Sequence, residues 1–151
     1  MVKEIIKDTD ILSQKSEKVQ KNEDISGLAQ DLIDTANYHK ENTPRGCAGL
    51  AAIQIGVAKR VCVVEMNDRY VLFINPRFAK ASKQKYTSTE RCLSFDDEKE
   101  TERFFNVTVE HEERTHIRDG GWLSRKKKIP LNQMHSLVLQ HEVDHMNGVL
   151  I

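Results

Sequence analysis

The run PLNQMHSLVLQHEVDHMNG at residues 130–148 decides the reading of this chain. In it Leu131, Met134, Leu137, Val138 and Leu139 make a broad apolar face at helical spacing. Pro130 suits a first helical turn and Gly148 the position just past the last, so a helix is predicted between them. That helix carries His141-Glu142-Val143-Asp144-His145. Four residues along a helix turn about 400° and rise about 6 Å, so the two imidazoles project side by side and can share one metal ion. Glu142, next to the first of them, can take a proton from an activated water and hand it to a leaving amine. A near-match, His111-Glu112 with His116 five residues on, falls in or just past a predicted strand. There an odd spacing sends the rings to opposite faces, and this pair is read as surface.

A catalytic metal needs a third protein ligand and an open position. Cys47, Cys62 and Cys92 are an odd count in a domain large enough to need no covalent staples, which favours thiol or metal chemistry over disulfides. Cys62, mid-strand in VCVVEM, reads as a small core residue. Cys92 lies beside Glu90 and Arg91, and a nearby cation favours the thiolate a metal requires. From those residues alone, ligand and ordinary strand cysteine stay equally open.

Outward from these segments, Ile25, Leu28, Ala29, Leu32, Ile33 and Ala36 fall at helical spacing behind Asp24, a predicted N-cap. VCVVEM and YVLFINPRF, separated by Asn67, Asp68 and Arg69, read as a hairpin in which Pro76 ends the pairing or sits at an edge. Residues 107–110 and 86–95 are two further strands, and Asp119-Gly120-Gly121 marks a turn. CAGLAAIQIG at 47–56 is too rich in glycine and alanine to be simply helix or strand. The order of elements predicts an α+β fold, with mainly antiparallel sheets packed around the C-terminal HExxH helix, in a single domain over 1–151. Twenty-three acidic against twenty-three basic residues argue against a DNA-binding surface built on bulk charge. Apolar runs fall short of the roughly 20 residues of a membrane span. The charged first ten residues lack a signal peptide's apolar centre, which predicts a cytoplasmic protein without membrane partners.

Three separated segments share one order: GLAAIQ at 49–54, ERCLS at 90–94 and QHEVDHMNG at 140–148. In order and approximate spacing they resemble the three signature motifs of the peptide deformylases, and supporting resemblance runs from the first helix through Ile74-Asn75-Pro76 to Gly148. The resemblance implies one divalent metal held by Cys92, His141 and His145. Fe²⁺ is the native expectation, and Zn²⁺, Ni²⁺ or Co²⁺ are alternatives. It further implies Glu142 as general base and acid, with Gln54 and the Leu93 N–H as oxyanion donors. Gly49 would contact the substrate main chain, and Leu137 and Val138 would line a methionine pocket. Arg103 would stand near the substrate or on the motif glutamate, and Asp144 would orient a ligand or an outer group. The implied substrate is the N-formylmethionyl end of a nascent polypeptide, and formate is the product.

Two motif glycines are replaced, by Cys47 and by Arg91. A long cation at 91 is expected to narrow the cleft or favour acidic peptides, and it would be strained if the glycine it replaces has a positive φ. The basic run Arg125, Lys126, Lys127 and Lys128, placed in a loop before the last helix, is either solvated surface or a contact to ribosomal RNA. A deformylase-like binding or regulatory module is the second reading. A general HExxH endopeptidase is disfavoured, because the six residues after His145 contain no further His or Glu.

Overall fold

The computed structural model describes residues 1–118 and 120–151. In chain order the elements are α1 (Thr9–Leu12), α2 (Ser26–Asn42), β1 (Gly49–Ala51), a 3₁₀ turn (Ala52–Ile55), β2 (Val61–Met66) and β3 (Arg69–Ala81). They continue with β4 (Lys85–Cys92), β5 (Phe95–Phe104), β6 (Asn106–Ile117), β7 (Gly121–Asn132) and α3 (Gln133–Met146). Five strands form an antiparallel sheet in the order β1-β2-β3-β6-β7, and β4 and β5 form a separate antiparallel ribbon.

The unbroken apolar run of β2 has a simple cause. Cys62 and Val64 join a cluster with Phe73, Val109, Leu139 and Met146, whereas Val61 and Val63 join Leu32, Ala36 and Leu50. Alternate side chains of one strand thus meet α3 on one face of the sheet and α2 on the other, and both faces are dry. α3 is buried along most of its length. No helix among the described residues is long and apolar enough to cross a membrane.

The predicted hairpin is present with a tighter turn: Arg69 pairs with Met66, and Asn67 and Asp68 make the corner at φ 52° and 62°. Two left-handed residues match the twist of the strands they join. Pairing of β3 with β2 stops at Ile74, and Pro76 sits in a bulge between Ile74 and Arg77. The residue entering α2 is Ile25, one position after the predicted cap, while Asp24 Oδ1 accepts the Ser26 N–H at 2.9 Å. Asp119 lies outside the described residues; Gly120 has φ 84°.

Three expectations are corrected, and one strand was not anticipated. The stretch 86–95 is not one strand: it holds β4 from its second residue to Cys92, a turn at Leu93 and Ser94, and the first residue of β5. β5 itself was not expected, because its acidic residues 96–102 are largely exposed and show no apolar alternation. Pro130, Leu131 and the basic run 125–128 belong to β7, not to a helix or loop. β7 is a sheet edge, where proline and lysine are tolerated and discourage further pairing. His111 is buried rather than exposed, its ring 4.7 Å from that of Phe73, while His116 packs on Trp122 from the other face of β6.

Candidate active site

β4 ends in a register break between Glu90 and Cys92 that turns the Cys92 side chain toward α3. Its Sγ lies 3.3 Å from His145 Nε2, which in turn lies 3.1 Å from His141 Nε2. All three residues are buried, with their ligand atoms within 4.8 Å of one another. Three lone-pair donors this close repel unless a proton or a cation lies between them. A thiolate with two imidazoles is a transition-metal donor set. The cluster therefore fits a divalent ion. Cys62 packs into the core cluster beneath α3, and Cys47 Sγ donates to the Gly49 carbonyl at 3.2 Å. Burial and the Glu142 charge push the Cys47 thiol up to about 12, so it is a protonated wall residue.

Behind the three donor residues runs a chain of ion pairs. Glu90 Oε1 is 2.7 Å from His141 Nδ1, and a carboxylate can only accept, so the proton sits on Nδ1 and the Nε2 lone pair faces Cys92 and His145. Arg103 donates from Nε and Nη2 to the two Glu90 oxygens, each at 2.8 Å, and from Nη1 to Asp144. Burial by itself would raise the Glu90 carboxyl, but His141 and Arg103 outweigh it and hold it at about 2. Burial likewise disfavours charge on His141, yet Cys92 and Glu90 reverse the balance and raise it; His145, buried beside His141, is lowered. Asp144 thus stands three contacts from the imidazole, through Arg103 and Glu90, and His145 Nδ1 is buried without a hydrogen-bond partner.

Glu142 points from the next position of α3 into a cleft of about 700 Å³. It is 3% exposed, its Oε2 has no hydrogen-bond partner, and burial pushes its carboxyl up to about 7. An acid that is half ionised near neutrality is suited to taking up and returning a proton. Gln54 reaches the same place from the 3₁₀ turn. Its Oε1 accepts the Ala51 N–H at 3.0 Å, which aims Nε2 at Cys92 Sγ, 3.3 Å away, and at Ser94 Oγ, 3.2 Å away. The glycine- and alanine-rich run is resolved as a short strand followed by that turn, and Gly56 at φ 84° closes it.

The cleft brings together Gly49, Gln54, Arg91, Cys92, Leu93, Leu137, Val138, His141 and Glu142 of the residues singled out from sequence. His145 lies beneath it, fully buried, and Arg103 stands behind Glu90, away from the cleft lining. Arg91 has no positive φ, so the expected strain is absent; its guanidinium pairs with Glu98 on β5. Three contributors were not assigned a part from the sequence: Ser94, whose N–H donates to Cys92 Sγ at 3.4 Å; Glu98; and Met134, which lines the cleft while 64% exposed. The serine stood inside a motif and could have been found there. The other two are set by strand register and helix orientation.

The family model described as polypeptide deformylase matches residues 2–151. The chain is 36% identical to the peptide deformylase of Clostridium beijerinckii over 151 residues, covering all of both chains. It is 34% identical to that of Dictyoglomus thermophilum, covering all of this chain and 91% of the other. Among solved structures, a class I type b peptide deformylase from Acinetobacter baumannii superposes with a TM-score of 0.79 at 28% identity, covering 99% of this chain and 97% of the other. The Thermotoga maritima enzyme gives 0.76 at 28% identity, with 99% and 95% covered. Motif order, sheet architecture and similarity along the full length agree, and this chain belongs to the polypeptide deformylase family.

Proposed function

We propose that residues 1–151 form one catalytic domain that removes the formyl group from N-formylmethionyl peptides as a metal-dependent amidohydrolase. The observation that carries this is the buried Glu142, with its unpartnered Oε2, next to the Cys92, His141 and His145 cluster at the floor of an open cleft. A divalent ion held by those three side chains supplies Lewis acidity there. Fe²⁺ is proposed as the native ion and Zn²⁺, Ni²⁺ or Co²⁺ as replacements, all compatible with a thiolate and two imidazoles.

The chain's own residues do the rest. Glu142 takes the proton of the attacking water and returns it to the departing amine nitrogen, so formate leaves beside a free amino terminus. Gln54 Nε2 and the Leu93 N–H are the donors for the oxygen on which negative charge develops, and fixed donors of this kind need no reorganisation during the reaction. Gly49 offers main chain to an extended peptide, and Leu137 and Val138, joined by Met134, receive the methionine side chain. Arg103 positions Glu90 and thereby His141.

The proposed setting is the cytoplasm, on chains leaving the ribosome. Contact with ribosomal RNA would use Arg125 and Lys126 at the edge of the sheet, since Lys127 lies 2.8 Å from Glu113 and Lys128 3.8 Å from Glu110. Formate release from formyl-Met-Ala-Ser, measured with anaerobically purified, iron-loaded protein of known metal content, tests the activity. Turnover that needs Glu142 supports it; one bound metal equivalent without formate points to the binding-module reading.

A further inference from the structure

Arg91 lines the cleft one residue from Cys92, at the point where the pairing of β4 with β5 breaks between Glu90↔Lys99 and Cys92↔Phe95. The irregular backbone there sends its side chain across the ribbon, where Nε and Nη2 both donate to one oxygen of Glu98. The two side chains are 53% and 43% exposed. An ion pair this wet holds weakly, and a second carboxylate can replace the first with little loss because it restores the same charge-assisted bonds. Arg45, from the segment before β1, lines the same cleft, and its Nη2 lies 3.5 Å from the Asp96 carbonyl oxygen, a neutral acceptor. The Asp96 carboxylate itself is 95% exposed, with Lys7 3.8 Å away. The lip of the cleft therefore presents two guanidinium groups, one of them occupied by an exchangeable internal carboxylate, and the Asp96 carboxylate beside them, which stands out in solvent.

Resting on the deformylase reading, we propose that Glu98 is an internal stand-in for a substrate carboxylate, and that Arg91 selects formyl-methionyl peptides with Asp or Glu just after the methionine. The position of Arg91 beside Cys92 limits the reach to the first residues of the peptide: its long side chain spans one or two residues of an extended chain and no more. Lysine at those positions meets like charge and is disfavoured.

The test compares kcat/KM for formyl-Met-Glu-Ser, formyl-Met-Gln-Ser and formyl-Met-Lys-Ser within each protein. Wild type is expected to favour Glu over Gln by about two- to fivefold, with Lys below Gln, and the spread should shrink at high salt. Glu98→Gln should widen the Glu/Gln ratio by releasing Arg91, and Arg91→Gly should bring it to one. Equal rates for Glu and Gln peptides in both wild type and Glu98→Gln, or a preference that survives Arg91→Gly, would overturn the assignment. Equilibrium binding of the deformylated peptides Met-Glu-Ser and Met-Gln-Ser reads the same selection without turnover. A protein that hydrolyses none of the formyl peptides yet binds Met-Glu-Ser in preference has lost the activity reading and kept this one, and equal binding of the two would remove it.

Discussion

A β-carbon on Gly49 would lie 2.6 Å from Glu142 Oε1 and 2.7 Å from Val138 Cγ1. The glycine was expected to serve the substrate through its main chain; what the structure shows is that it makes the room in which the carboxylate sits. Both elements are fixed, β1 by its pairing with β2 and α3 by burial against the sheet, so neither can yield cheaply. Gly49→Ala should displace the carboxylate and lower turnover by about 100-fold, the usual consequence of shifting a catalytic group by roughly 1 Å. Metal content should stay at the wild-type value, measured on the same sample as formate release.

Glu142 and Cys92 separate in their effects. Glu142→Ala removes the proposed base and leaves the three donor residues, so the metal should remain while turnover falls by about 10²–10⁴. Cys92→Ala should lose both metal and activity. Elemental analysis beside the activity assay distinguishes the two, and normal turnover in Glu142→Ala would remove the general-base assignment.

Arg103 and Glu90 are each 4% exposed in their side chains and held in a fork. Arg103→Ala strands the Glu90 carboxylate in a dry site, and breaking a buried pair from one side costs about 3–5 kcal/mol. Urea unfolding should show a loss of that size. Because Glu90 also holds the His141 ring, metal affinity should drop by about 10- to 100-fold.

His111 predicts an acid-side weakening unconnected with catalysis. Burial lowers its pKa, partly opposed by Glu113 and reinforced by Lys127, so the folded state takes up the proton less readily than the unfolded chain. Stability from this group is complete above the unfolded value of about 6.5 and falls, as pH drops toward the folded pKa, by up to about 1.4 kcal/mol per unit. His111→Leu should lose that slope. Unfolding measured at pH 7.5 and pH 5.5 for both proteins reads it as a difference of differences, and identical slopes would place the acid sensitivity elsewhere.

Local residue order carried a large share of this protein. The spacing of His141 and His145 needs only helical geometry, the apolar face of α3 states that the helix is buried, and Asn67 with Asp68 sets a turn by its own backbone preference. The same local logic failed where a strand has no dry face of its own. β5 is an acidic ribbon that pairs only with β4, and β7 is a lysine-bearing edge, so neither shows the alternation that burial imposes. His111 was misplaced for the converse reason: a polar residue in a strand of mixed character gives no sign of which face meets Phe73.

The sequence by itself determined the donor types, their order along the chain and the helix that pairs two of them, because these depend on residues a few positions apart. Residue types alone left Cys92 open as a ligand and the motif resemblance named it; the tertiary structure decided how it meets the imidazoles, through the register break in β4 that brings its sulfur to α3. It also decided that Arg103 backs Glu90 from across the ribbon, that Arg91 is matched by Glu98, and that Gly49 stands against Glu142. Each is a contact between segments far apart in the chain or across a hairpin, where packing sets the distance and composition does not.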